Sequence, residues 1–184
     1  MDYGKKFERT HPWITFGLDT SKASLKLWMN LGEAKSKCEH IAGVALRPSV
    51  AQKLHNIYLA KGVLATTAIE GNTLLEEDVR KIIDGVSELP SSKKYLQQEI
   101  ENILEACNDI FESLIKEKDR KITPDKVKMY NKLVLKGLNL ESHITPGEMR
   151  TFQVGVAKYK AVEAEDCEFL LNRLCDWLND ESFW

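Results

Sequence analysis

The residues of this chain that can do chemistry are few, and most are scattered. The four cysteines, Cys38, Cys107, Cys167 and Cys175, form no Cys-x-x-Cys pair. Cys38-Glu39-His40 brings two potential ligands close, but positions two apart point to different faces of a helix. No metal site is expected, and the cysteines, each inside an apolar helical pattern, read as buried free thiols of a reducing cytoplasm. The four histidines lie in unrelated contexts, no nucleophile stands beside a base, and no glycine-rich phosphate loop occurs. What remains is Thr66-Thr67-Ala68-Ile69-Glu70-Gly71-Asn72. Glu70 falls in the last turn of a helix, where a carboxylate meets the negative end of the macrodipole and the unpaired carbonyls. Local chemistry does not ask for it there. A solvated glutamate at a helix end is one reading; a residue kept for function against a local rule is the other.

The elements that place this stretch are helices. Val50, Leu54, Ile57, Tyr58, Leu64 and Ala65 recur at helical spacing after Pro48, a good first-turn residue, and predict a helix from Pro48 to Glu70. Gly71 is the left-handed residue after it. Thr73-Leu74-Leu75-Glu76 has a capping-box pattern and predicts a second helix from Leu74 to Asp84, with Val79, Ile82 and Ile83 buried and Gly85 as the stop.

Upstream, residues 1 to 20 read as an extended arm whose Trp13 and Phe16 pack back on the body. A long helix from Ser21 to near Gly43 carries Leu25, Trp28, Met29, Leu31 and Ile41. Downstream, a turn-rich loop over 85–92 leads to the cleanest stripe in the chain, Ile100, Ile103, Leu104, Cys107, Ile110, Phe111 and Leu114, on a core helix of roughly six turns. A charged connection, Lys116 to Lys121, precedes a helix capped by Thr123-Pro124, with Val127, Tyr130, Leu133 and Val134 facing inward and Gly137 ending it. After the turn Thr145-Pro146-Gly147-Glu148 the period changes: Phe152, Val154 and Val156 alternate with Thr151, Gln153 and Gly155, as in a strand with one apolar face. A second short strand follows near Lys158 to Lys160, and Glu165 opens a last helix with Phe169, Leu170, Leu174, Trp177 and Leu178 inward. The fold class is mainly α, with one β excursion.

Bulk properties narrow the function. A formal net charge of −2 lacks the basic footprint that nucleic-acid binding leaves. No apolar run reaches the length of a membrane span or a signal core, so neither a membrane nor a secreted protein is expected, and the cytoplasm is the expected compartment.

Ala65-Thr66-Thr67-Ala68-Ile69-Glu70-Gly71-Asn72-Thr73-Leu74 closely resembles the inhibitory helix of Fic-family protein adenylyltransferases, whose pattern is Ser or Thr, three residues, Glu, then Gly or Asn. Thr66, Glu70 and Gly71 match it position by position. Three other stretches agree in order: Leu31-Gly32-Glu33-Ala34; Leu89-Pro90-Ser91-Ser92 with Tyr95 and Glu99; and Thr145-Pro146-Gly147-Glu148-Met149-Arg150-Thr151, which resembles the family's flap with Met149 where an aromatic is usual. The resemblance covers most of the chain from about residue 25.

It implies a Fic-like helical domain with a small β-hairpin flap, divided here into an N-terminal arm (1–24), a helical region with the inhibitory helix (25–92) and a partial Fic core (93–184). It implies transfer of AMP from ATP to a hydroxyl of a target protein, with a histidine as general base and arginines and Mg²⁺ on the phosphates. Glu70 would pair with an arginine meant for the γ-phosphate. Thr66, one turn earlier, would brace that carboxylate, and Gly71, followed by Asn72, would let an opposing backbone approach. Thr151, Phe152, Gln153, Val154, Gly155 and Val156 would hold an extended target segment by main-chain hydrogen bonds.

The family's catalytic signature, His-Pro-Phe-x-x-Gly-Asn-Gly-Arg, does not occur; His11-Pro12-Trp13 lacks its glycines. The expectation is therefore a fragment, ending at Trp184 ahead of the catalytic motif, with no catalytic residue of its own, inactive in AMP transfer, binding neither ATP nor Mg²⁺ itself. The alternative is a stand-alone, antitoxin-like module that inhibits a separate Fic enzyme in trans. A fragment would also expose apolar surface on the Ile100 to Leu114 helix, which a homodimer would cover.

Overall fold

The computed structural model describes residues 5 to 85, 89 to 117 and 120 to 181. The rest of the loop expected over 85–92, the middle of the charged connection, the first four residues of the arm and the last three of the chain lie outside the described residues. Among the described residues the chain is mainly helical, with seven α-helices and one two-stranded antiparallel hairpin. They fall into two compact units, Met1–Phe16 with Tyr58–Trp184, and Gly17–Ile57.

In the first unit, the core forms where α3 (Pro48–Ile69), α4 (Glu76–Ile83) and α5 (Lys94–Glu112) bring Ala60, Val63, Leu74, Val79, Leu89, Ile100 and Leu104 together. Val79 and Ile100 are fully buried, each contributing roughly 1.5–3 kcal/mol. α4 opens two residues later than its capping-box pattern predicts. Asn72 Oδ1 accepts the Leu74 N–H at 3.0 Å and holds Thr73 and Leu74 in a turn, so the reciprocal contact comes from Asp78, whose carboxylate accepts the Leu75 N–H at 3.3 Å. Lys93 also donates to Asp78, and this hydrogen bond, first among the causes, holds that carboxyl below its usual range.

The stripe on α5 is core only in its first half. Ile100 and Leu104 are buried, whereas Ile110, Phe111 and Leu114 stand 40–48% exposed. α5 continues through a π-turn, Ser113–Glu117, beyond the neighbours that cover it. α6 (Pro124–Val134) is capped as expected, Thr123 Oγ1 accepting the Lys126 N–H at 3.2 Å. Its Leu133 and Val134 are half-buried, but Val127 is exposed and faces a groove of about 360 Å³ floored by Ile110, Leu114, Ile122 and Tyr130.

The arm is not simply extended. Lys6–Thr10 forms a short helix, α1, because Phe7 has a place to go: its side chain is buried beside Phe169, with ring centroids 6.0 Å apart, and its N–H donates to the buried Asp166 at 2.9 Å. Phe16 is half-buried and Trp13 stays 63% exposed, so of the two aromatics expected to pack back only Phe16 does so appreciably. Asp166 and Phe169 belong to α7 (Ala164–Leu178), whose Leu170, Trp177 and Leu178 are half-buried while Phe169 and Leu174 are just exposed.

The predicted strand is much shorter than Thr151 to Val156. Only Gly155–Val156 (β1) pairs with Tyr159–Lys160 (β2), in register Gly155↔Lys160 and Val156↔Tyr159. Side chains take the carbonyls below it: Arg150 donates to Phe152 O and Val162 O, and Gln153 Nε2 to Ala161 O at 2.6 Å. The apolar alternation does not make a buried face either, since Phe152 packs edge-on to His143 while Val154 and Val156 are exposed.

In the second unit, α2 (Leu25–Ala42) starts four residues after Ser21, because Asp19 Oδ1 takes both the N–H and the hydroxyl of Ser21 into a turn, leaving Ser24 as the cap. None of its residues is buried. Cys38 on this helix is exposed, contrary to the expectation for all four cysteines; Cys107 and Cys167 are half-buried and Cys175 is buried. No described helix is long and apolar enough to cross a membrane.

Candidate functional site

The junction after α3 is a closed helix end. The Asn72 N–H donates to Thr67 O and the Gly71 N–H to Ala68 O, with Gly71 at φ +91°, the pairing of a Schellman motif. Glu70 is thus the C-cap residue. A Cβ at Gly71 would meet no atom of the described residues within 4 Å, so among them the glycine serves the left-handed backbone.

Around this end the two threonines and the asparagine have separate tasks. Thr67 is buried, and its hydroxyl donates to Val63 O at 3.0 Å. Thr66 is exposed and spends its single proton on Gly62 O at 2.9 Å, so it reinforces its own helix instead of bracing Glu70. Asn72 is 5% exposed and uses its whole amide: Nδ2 donates to Leu96 O at 3.0 Å and Glu99 Oε2 at 2.8 Å, while Oδ1 holds Leu74. Glu99 in turn stands beside Tyr95, whose phenol is raised above its ordinary value, first by desolvation and then by that carboxylate. Tyr95 and Glu99 are therefore one cluster with Asn72.

Glu70 is exposed; its N–H donates to Thr67 O at 3.1 Å, while its carboxylate has no hydrogen-bond or ion-pair partner among the described residues. Beside it Ile69 is 83% exposed. Sequence reasoning passed over Ile69, although its place two positions past Thr67 takes it off the Ala60, Val63, Thr67 face. An apolar side chain and an unpartnered carboxylate thus share one rigid, solvent-facing helix end.

The hairpin is the second candidate element. Its base is fixed by the Gly147 N–H donating to Asn131 Oδ1 on α6 at 2.9 Å, and its two-residue turn puts Ala157 at φ +51°. Gly155 is required by space: a Cβ there would lie 2.8 Å from Tyr159 O. Thr151, Gln153, Val154, Gly155 and Val156 are exposed and Phe152 is half-buried. Among the described residues no group of three His, Cys, Asp or Glu side chains converges as a metal site would require.

No protein-family profile matches the chain. Against individual proteins, it is similar to protein adenylyltransferase fic-1 of Caenorhabditis briggsae, 31% identical over 120 residues that make up 65% of this chain and 23% of that protein. The corresponding protein of Caenorhabditis elegans is 30% identical over the same lengths. The matched residues span less than a quarter of these curated relatives.

Proposed function

We propose that this chain supplies the regulatory helix and the target-binding hairpin of a Fic-type protein adenylyltransferase, with Glu70 as the autoinhibitory residue. The observation that carries this reading is an exposed carboxylate without a partner among the described residues, held on a rigid helix end that its own dipole disfavours. Similarity to the fic-1 adenylyltransferases supports the family.

A carboxylate accepts a bidentate, charge-assisted pair from an arginine as a phosphate oxygen does. On this reading that arginine belongs to a catalytic segment bearing His-Pro-Phe-x-x-Gly-Asn-Gly-Arg, a motif not found in these 184 residues. Glu70 competes with the γ-phosphate of ATP for it, and AMP transfer slows. Gly71 and Asn72 hold the helix end in place, and Thr66 stiffens the turn before it. On the same reading ATP and Mg²⁺ are held by the catalytic segment. The hairpin over 151–156 receives an extended segment of the target protein along a strand edge.

The test is incorporation of labelled AMP by the adenylyltransferase polypeptide that carries this segment together with the catalytic motif. Glu70→Gly is expected to raise the rate about tenfold or more, since a charged hydrogen-bonded pair contributes about 1.5–3 kcal/mol. An unchanged rate removes Glu70 as the brake.

A further inference from the structure

His11-Pro12-Trp13 and the short helix α1 have no part in the reading above, yet they end on the hairpin. A ladder of two residues per strand cannot hold itself in water. Arg150 and Gln153 secure its base, and the remaining anchor is His11, an imidazole only 6% exposed against strands that are themselves on the surface.

The contact follows from the ladder's alternation. The Ala161 N–H donates to Val154 O at 2.9 Å, so the next pair, Gly155 and Lys160, is the one whose peptide groups point outward. His11 Nε2 lies 2.8 Å from the outward carbonyl of Lys160. A carbonyl only accepts, so Nε2 carries the proton and donates it. Nδ1 sits 2.8 Å from Thr10 Oγ1, and the ring lies edge-on to Tyr159 and Trp13 at 6.0 and 5.1 Å between centroids. Behind His11, the arm is tied to α7 by Phe7 and by the Lys5 ammonium, 4.9 Å from the Phe169 ring centre.

We propose that His11 is a positioning residue for the hairpin: it clamps β2 to the arm, and so to α7, and occupies the β2 edge. An incoming extended segment then meets a β2 edge whose Lys160 carbonyl is taken, and finds the β1 edge open at Gly155. A cleft of about 490 Å³ between arm and hairpin, lined by Trp13, Gln153, Lys158, Tyr159 and Glu163, is the space the clamp keeps open. The consequence for a target segment rests on the proposed function; the clamp itself does not.

Amide hydrogen exchange of the 184-residue chain, read by mass spectrometry, tests the clamp with neither ATP nor target present. His11→Ala is expected to speed exchange over 155–161 about tenfold while the α3, α4 and α5 amides keep their rates. His11→Gln, whose side-chain amide can donate to the same carbonyl, should restore much of the protection. Unchanged exchange at the hairpin overturns the proposal, and so does a rise spread evenly over the core helices, which would mean general destabilisation. Failure of the Glu70→Gly assay leaves this readout standing, and failure here leaves the role of Glu70 standing.

Discussion

Among the described helices that run into a glycine with a left-handed backbone, α3 and α6 are finished in opposite ways. At the end of α6, with Gly137 at φ +71°, Asn102 of α5 reaches across with its amide and donates to Val134 O at 3.0 Å and Lys136 O at 2.7 Å. Asn102 is 1% exposed, so this end is closed by another helix through an amide that water does not reach. At the end of α3, with Gly71 at φ +91°, an asparagine also makes the tie to α5, but it comes from the outgoing chain, and the C-cap residue is a carboxylate turned to solvent. The first end serves packing alone. The second is equally well fixed, and its carboxylate, like that of Asp84 before Gly85 at the end of α4, makes no side-chain bond among the described residues.

The comparison can be broken most easily at the buried end. Asn102→Ala leaves two carbonyls without their donor and should cost about 2–3 kcal/mol, seen as a lower midpoint in urea unfolding. A variant as stable as the parent would mean that this end is not sealed by Asn102. Gly71→Ala should cost about 1 kcal/mol in the same assay, because alanine fits the empty space but not the positive φ. A much larger loss would mean that the space at Gly71 is tighter than the described residues make it. The smallest effect sharpens the contrast: Glu70→Gln removes a charge at odds with the α3 dipole and should stabilise by about 0.3 kcal/mol, shrinking in 1 M salt. If the glutamine variant is instead less stable, Glu70 has a partner within the chain and the reading of an unspent carboxylate fails.

How far these features were legible depends on whether the signal was local. The start of α3 was readable to the residue and its end to within one, because Pro48 and Gly71 act through their own backbone preferences. The start of α4 was missed by two residues because Asn72 recruits Leu74, a competition between a side-chain turn and a capping box that neither motif reveals alone. Phe152, Val154 and Val156 do alternate, but alternation cannot tell a ladder from a chain whose carbonyls are taken by Arg150 and Gln153. The stripe on α5 gave the helix and not its cover, so the exposure of Ile110 and Leu114 was visible only in three dimensions. Glu70 stood out because it breaks a local rule. His11 did not, because the carbonyl it serves is 149 residues away.

That separation also sets an order of events during synthesis. Phe7 meets Asp166 across 159 residues, so α1 has nowhere to dock until most of the chain has been made. At roughly 5–20 residues per second, the arm leaves the ribosome about 8–30 s before its partner helix. The α3–α4–α5 core can form in that interval, placing Glu70 early. The hairpin gains its clamp only afterwards, so the α3 end matures before the hairpin does.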